Sequence, residues 1–579
     1  MTAATPERTP GRHPAGEFDV VVVGSGAAGM TAALTAARQG LTTVVLEKAP
    51  HFGGSSARSG GGLWIPNNDV LARSRVEDTP EQARTYLNHI VGSTASRERQ
   101  QAFLDNGPAM LASVLPQTPL RMRWVPDYSD YYPEAPGGRP RGRSIEPAPL
   151  DGRILGEHLS ELEPDYVRSP PNFVITQADF RWLNLLARHP RGPVRALRVG
   201  LRWLWAHLRG KRLLARGQAL AAGLRVGLRD AGIPLWLDTP LLDLVHDDDG
   251  RITGVEVDDS GRRNVVHARH GVILAAGGFE HNEPMRKQYQ REPIGSQWTV
   301  GARANTGDAI LAARNRGAAV DLMDDAWWGP SIPLTGGPWF CLSERSLPGC
   351  IMVNGRGERF VNESAPYIDA VHAMYGEGDG PARNMPTWLI ADQRYRNRYV
   401  FAGLAPRQPF PGRWYKAGAV HRADTLESLA DRIEVPAEKL RVTVQRFNGF
   451  AADGEDADFH RGRSAYDHYY GDPRNRPNPG LAALETAPFY AVRIVPGDLG
   501  TKGGLCTDVH GRVLRDDGST IPGLYAAGNA GAAVMGRTYA GPGATLGPAM
   551  TFGYLAALHI ASAAGKRPQR PRPAQEESR

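Results

Sequence analysis

The apolar positions of this chain fall into a few short, β-branched runs that end in glycine. Phe18–Val23 (FDVVVV) is continuously apolar, the pattern of a parallel strand buried on both faces. Gly24–Gly29 follows, then MTAALTAARQG, whose small apolar residues predict a helix. Leu41–Leu46 (LTTVVL) predicts a second strand, closed by Glu47. Two distant runs repeat the strand-then-glycine pattern, Val272–Gly278 (VILAAGG) and Leu524–Asn529 (LYAAGN). After the second, a glycine-rich loop carrying Tyr539 and Gly543 passes into an apolar helix. Ile351–Arg359 predicts a strand with a turn at Asn354-Gly355. One segment stands apart. From Arg181 to Gly227 there are eleven Arg or Lys residues and no Asp or Glu, interleaved with Trp182, Trp203 and Trp205. A pair of solvated basic helices is expected there, with a membrane-facing amphipathic segment as the alternative. Nucleic acid is not an expected partner, because no nucleic-acid motif accompanies the charge.

The first run is a βαβ unit with the fingerprint Gly24-Ser25-Gly26-Ala27-Ala28-Gly29, and Glu47 lies 18 residues beyond Gly29. Gly24 is expected to make the tight turn, Gly26 to admit a pyrophosphate, and Gly29 to let helix and strand pack. Glu47 is placed to accept hydrogen bonds from an adenosine ribose. A second Gly/Ser-rich loop follows at once, with Gly54, Ser55, Ser56, Ser59, Gly60 and Gly61. Such a loop suits a ligand longer than NAD, one that reaches on to an isoalloxazine ring. FAD is therefore the expected cofactor. Ala28, Lys48, Ala276, Gly277, Asn305, Gly307, Asp308, Gly528, Asn529, Ala544 and Leu546 complete the expected cofactor set.

Composition bounds the rest. The chain has 579 residues, 41% of them hydrophobic, enough for a large core. Three cysteines without CxxC spacing argue against a disulfide framework or a zinc site, so no metal is expected. They fit a reducing compartment, the cytoplasm. The N-terminus has no apolar signal core, and no run of about 18 apolar residues predicts a membrane span. The tails, 1–14 and 566–579, are rich in Pro and charge and are expected to be disordered.

Taken together, the three strand-glycine pieces resemble the glutathione-reductase-type flavoproteins, and within them the fumarate reductase/succinate dehydrogenase flavoprotein superfamily. The fold this implies is α/β (α+β overall), a discontinuous Rossmann-type FAD-binding domain with an inserted α+β catalytic domain. The domain would run over 15–305, with a basic helical insertion at 186–216, and over 488–565. The inserted domain would occupy 306–487. Four segments narrow the resemblance to the 3-ketosteroid Δ1-dehydrogenases: SGGGLWIPNN (Ser59–Asn68), Pro126-Asp127-Tyr128, RFVNESAPY (Arg359–Tyr367) and GRTYAGPGATLGPAM (Gly536–Met550). DLGTKGGLCTD (Asp498–Asp508) adds to it.

What the resemblance implies is specific. Tyr539 matches the tyrosine that bonds the steroid 3-keto oxygen, and Gly543 the glycine whose N–H joins it. Tyr367 matches the base that removes a proton from C2, and Tyr128 its hydrogen-bonded helper. Tyr131 and Tyr132, in the same run, are alternatives for reaching the site. Hydride from C1 would pass to flavin N5, a step of steroid catabolism. No tethering residue is identified, so FAD is expected to be non-covalent. The electron acceptor, a quinone or another carrier, is not named by the sequence. Peripheral membrane association through the basic segment is the localisation alternative. The rival activities are a Δ4-(5α)-dehydrogenase, a fumarate-reductase-like enzyme acting on another enone or ketone, and a non-catalytic flavin-binding module. A small-dicarboxylate site would need converging cations, and here the glycine pair Gly503-Gly504 follows Lys502 without a histidine. Arg537 is expected to be a surface charge.

Overall fold

A computed structural model describes residues 16–167, 170–378 and 380–566 of the chain. The expected disorder of 1–14 and of 567–579 concerns residues outside that range.

The four strand-forming runs, with the short strand Leu235–Trp236 at one edge, build one parallel core. Leu235–Trp236, Thr43–Leu46, Glu17–Val23, Arg262–Leu274 and Thr520–Ala526 lie side by side in that order. Val21 pairs with Val44 on one side and Val272 on the other, and Ile273 pairs with Tyr525. Helix Ala27–Arg38 leaves the first strand across the tight turn, and helix Leu546–Ala563 packs against it. Strands bound by helices are buried on both faces, which is why Val20–Val22 have no exposed surface. In such a sheet the ligand crevice opens at the carboxyl ends of the strands. Here those ends are Val23, Leu46, Leu274 and Ala526.

A second, antiparallel sheet is built around the long strand Phe489–Thr501. Ala326–Leu334 pairs with its second half, Thr387–Asp392 and Val420–Ala423 flank its first half on opposite sides, and Cys350–Val353 lies beyond Thr387–Asp392. By pairing, this sheet begins near Ala326 and ends at Thr501, whereas 306–487 is the range expected from sequence. Helix Asp308–Arg314 joins the core under the first sheet through Ala309 and Ile310.

Two expectations about local structure are corrected. The basic stretch holds one solvated helix, Arg191–Leu208, and not two. The second, Arg216–Asp230, is buried along its length, with Leu220, Leu224 and Leu228 at 0% exposure and Arg225 at 6%. Its small residues permit this, since a Cβ on Gly223 would lie 2.4 Å from the Leu120 side chain. The turn at Asn354-Gly355 is also different. Asn354 takes Glu358's carbonyl through its N–H, and the left-handed residue is Gly357 at φ +75°.

Candidate active site

The first loop behaves as its glycines require. Gly24 adopts φ +107°, and a Cβ there would lie 2.3 Å from the Ala275 carbonyl oxygen. A Cβ on Gly29 would lie 2.0 Å from the Gly24 oxygen, so this residue sets helix–strand packing and stands off the cavity. Gly26 meets nothing closer than 3.4 Å, which leaves its backbone open to a ligand. No side chain of the preceding residue caps the helix, so its first N–H groups and dipole face the crevice. Beside them, Ser56 Oγ accepts from Ala27 N at 3.0 Å.

The second loop and the returning strands close round the same space. Ser25 Oγ donates to Glu47 Oε2 at 2.5 Å, and Glu47 Oε1 accepts from Ala49 N. Burial raises the Glu47 carboxyl above its ordinary range, against these hydrogen bonds. Lys48 Nζ reaches Thr306 at 2.5 Å and Asp308 at 2.7 Å. Ser55 Oγ accepts from Ala302 N and from Asn305 Nδ2. Behind Asn305 sits Glu280, pushed up to about 7 by burial and by nearby Asp498, a residue sequence reading did not single out.

These residues line one cavity of about 980 Å³. That is near the upper end for small-molecule sites (roughly 300–1,000 Å³), room for a dinucleotide and a second ligand. Gly24, Ser25, Gly26, Ala28, Glu47, Lys48, Gly54, Ser55, Ser56, Ser59, Gly60 and Gly61 line it, as do Ala276, Gly277, Asn305, Gly307, Asp308, Gly528, Asn529 and Leu546. Gly29 and Ala544 do not; Ala544 borders a separate void of about 30 Å³. The residues present fit FAD: an open Gly26, a helix start that no side chain of its N-cap residue covers, and a wall that continues past the ribose acid.

Tyr128, Tyr367, Tyr539 and Gly543 face this same cavity. Gly543 adopts φ +96°, and a Cβ there would lie 2.4 Å from the Gly62 carbonyl. The Tyr539–Gly543 loop therefore touches the Gly60–Gly62 loop backbone to backbone. Alternate carbonyls of the Tyr539–Gly543 loop are held by other segments. Ala540 O accepts from Tyr131 N at 3.1 Å and from the Tyr86 hydroxyl at 2.7 Å. Pro542 O accepts from Ser144 Oγ at 2.6 Å.

The tyrosines form a packed cluster. Tyr539 lies 5.4 Å from Tyr367, 5.2 Å from Tyr131 and 4.9 Å from Trp327, ring centroid to ring centroid. Thr545 Oγ1 donates to the Tyr539 hydroxyl at 2.8 Å. Burial raises Tyr539 above the usual tyrosine value, while hydrogen bonds with Thr545, Tyr367 and the Gly543 N–H oppose the rise. Burial raises Tyr367 much further, and a hydrogen bond with Tyr131 opposes it.

The structure sets the three candidate tyrosines at different distances from Tyr367. Tyr131, and not Tyr128, packs directly on Tyr367, at 5.3 Å. Tyr128 stands one ring further out. It stacks on Tyr469 at 4.3 Å and its hydroxyl accepts from Tyr470 at 2.7 Å. Tyr132 turns away, donating to Asp369 at 2.9 Å. Tyr470 lines the cavity too, and its signal was the closely spaced Tyr466, Tyr469 and Tyr470 on one short helix. Lys502 does not line the cavity, so it is not placed to take an anionic substrate. Arg537 pairs with Asp324 at the surface, as expected.

Comparison with known proteins shows the family to which the chain belongs. The FAD binding domain family matches residues 19–546, so the chain is an FAD-binding flavoprotein. It is 61% identical over 560 residues to a 3-oxosteroid 1-dehydrogenase of Mycobacterium tuberculosis, covering 95% of this chain and 99% of that one. The chain belongs to the 3-oxosteroid 1-dehydrogenase family. Among solved structures, a 3-ketosteroid Δ1-dehydrogenase from Sterolibacterium denitrificans in complex with 1,4-androstadiene-3,17-dione is 40% identical. It superposes with a TM-score of 0.89 over 94% of this chain and 100% of that one. A 3-ketosteroid Δ4-(5α)-dehydrogenase from Rhodococcus jostii shares the fold, at 23% identity and a TM-score of 0.66, over 94% and 97% of the two chains.

Proposed function

We propose that this protein carries out FAD-dependent Δ1-dehydrogenation of 3-ketosteroids, with FAD held non-covalently. The observation that carries the reading is the convergence of the Tyr539 hydroxyl, the Gly543 N–H and Tyr367 on one wall, next to Gly60–Gly62. A 3-keto oxygen between Tyr539 and Gly543 would take two hydrogen bonds that strengthen as it gains enolate charge. That charge acidifies C2, and Tyr367 is the residue beside the anchor that can receive the proton. Its raised pKa disfavours a free phenolate, so the C2 proton enters Tyr367 as the hydroxyl's own proton passes to Tyr131, Tyr131's to Tyr128, and Tyr128's to water at the cavity mouth, each hydroxyl ending neutral. FAD, when bound, supplies the acceptor for the C1 hydride. Tyr131 is thus the helper in this reading, and Tyr128 with Tyr470 supports it from behind.

Anaerobic mixing of the holoenzyme with androst-4-ene-3,17-dione tests the reaction. The flavin's visible absorbance is expected to bleach and a 1,4-diene-3-one to form; no bleaching with this steroid, but bleaching with 5α-androstane-3,17-dione and formation of a 4-ene, would favour the Δ4 rival. In the same assay Tyr131→Phe is expected to slow reduction more than Tyr128→Phe, and the reverse order would return the helper role to Tyr128.

We also propose peripheral attachment to an anionic bilayer. No helix among the described residues is long and apolar enough to cross a membrane. The solvated helix Arg191–Leu208 instead leaves Leu208 72%, Leu197 63% and Trp205 56% exposed, and Arg191, Arg198 and Arg209 are exposed as well. An apolar stripe flanked by cations suits a lipid interface. Arg195 and Arg202 clip this helix to Asp179, on the helix whose Gln177 and Phe180 line the cavity. Leu197→Ser/Leu204→Ser/Trp205→Ser is expected to lower sedimentation with phosphatidylglycerol vesicles at least about tenfold, with turnover of dissolved steroid unchanged. Equal binding of the variant would refute the attachment.

A further inference from the structure

Behind the Tyr539 wall lies a buried polar cluster that the proposed reaction does not use. Lys502, just beyond the strand Phe489–Thr501, has no exposed surface. A buried ammonium is costly unless it is paired and hydrogen-bonded. Lys502 Nζ lies 4.7 Å over the Trp327 ring and 3.6 Å from Asp325 Oδ2. Its shortest contact goes elsewhere, to the Thr538 carbonyl at 2.7 Å. Thr538 is the residue before Tyr539.

Two ties then run from Thr538 to the helix Tyr367–Tyr375. In the first, Lys502 faces Asp325, and Asp325 Oδ1 is 2.9 Å from Nε2 of His372 on that helix. Trp328 Nε1 holds the same oxygen at 2.7 Å. In the second, Thr538 Oγ1 donates to the Tyr132 hydroxyl at 3.1 Å, and that hydroxyl donates to Asp369, also on the helix. Trp327, under the ammonium, packs edge-on against Tyr539 and donates to Asn529 Oδ1 at 3.0 Å. The cluster thus meets the helix that begins with the base, the loop that carries the ketone anchor, and a residue of the flavin wall. We infer that Lys502 and Asp325 form a buried clamp that fixes the Tyr367 helix against the Tyr539 loop, making Lys502 a positioning residue for the dehydrogenation.

The inference rests on the reaction proposed above. A packed apolar side chain would often be no less stable than a buried ion pair at such a place. What it would lack is a donor for the Thr538 carbonyl. The loop could then drift, and catalysis is sensitive to errors of about 1 Å in placement.

Lys502→Met and Lys502→Arg, each as FAD-loaded protein, test the clamp by anaerobic single turnover with androst-4-ene-3,17-dione. Lys502→Met is expected to lower the limiting rate of flavin reduction about 10–100-fold, with steroid Kd within about threefold of the unchanged protein. Lys502→Arg, which keeps cation and donor, is expected to recover most of the rate. A Lys502→Met protein that reduces at the original rate overturns the clamp. So does a loss that vanishes at saturating steroid, since that locates the effect in binding. If Lys502→Met does not fold, Lys502→Met/Asp325→Asn removes both charges, and an unchanged rate there also overturns it. Absence of bleaching in the unchanged protein would overturn the reaction itself.

Discussion

Replacing Tyr539 by phenylalanine is expected to slow steroid-dependent flavin reduction by about 10²–10³-fold, the usual cost of removing one donor from a developing oxyanion. The ring should stay where it is. Trp327, Tyr367 and Tyr131 pack round it through their ring faces and edges, and phenylalanine preserves those contacts. Only the hydroxyl is lost, with its bonds to Thr545, Tyr367 and the Gly543 N–H. The loss should therefore fall on the limiting rate of anaerobic flavin reduction, with little change in the steroid concentration that half-saturates it. A variant within about threefold of the original rate would remove the ketone-anchor role from Tyr539.

Gly543→Ala is expected to be equally damaging by another route. At φ +96° an L-residue is strained by about 1–2 kcal/mol. The new Cβ would also enter the Gly62 carbonyl, at 2.4 Å, and backbone cannot swing aside as a side chain can. The two loops must separate, which moves the Gly543 N–H away from the ketone and Gly62 away from the flavin. A fall of about 10²-fold in the single-turnover rate is expected, together with weaker retention of FAD on dilution. If Gly543→Ala kept both rate and cofactor, the backbone contact would not be what aligns the two sites.

The parts of the site that could be read from sequence are those whose chemistry is written locally. The Gly24–Gly29 turn, its helix and Glu47 are contiguous, and each glycine has a backbone reason to be there. Tyr539 and Gly543 sit in one glycine-rich loop between a strand and a helix. Which of the clustered tyrosines packs directly on Tyr367 was not legible. Tyr128, Tyr131 and Tyr132 lie in an irregular stretch, with Asp127 at φ +60°, where no helical or strand period assigns faces. What aims Tyr131 inward is its N–H bond to Ala540 O, a contact no local pattern predicts. The helix Arg216–Asp230 was misread for a different reason. Its arginines suggested solvent, but its glycines and alanines permit close packing, and packing decided. Ala544 was assigned to the cofactor by its neighbours, and it borders a small void that shares Gly528, Asn529 and Thr545 with the large cavity.

The bonds that hold the Tyr539 loop also say something about how the enzyme is made. Tyr86 and Ala540 are 454 residues apart, and Ser144 and Pro542 are 398 apart. Contacts so distant in sequence must await loop closure, and they form late. During synthesis the Gly24–Gly29 cradle emerges with its helix and second strand, long before the ketone anchor exists. The final stretch of chain then supplies both the last parallel strand, Thr520–Ala526, and the loop that completes the substrate wall. The nascent chain therefore assembles the outline of a nucleotide site first and acquires its chemistry only when its two ends meet.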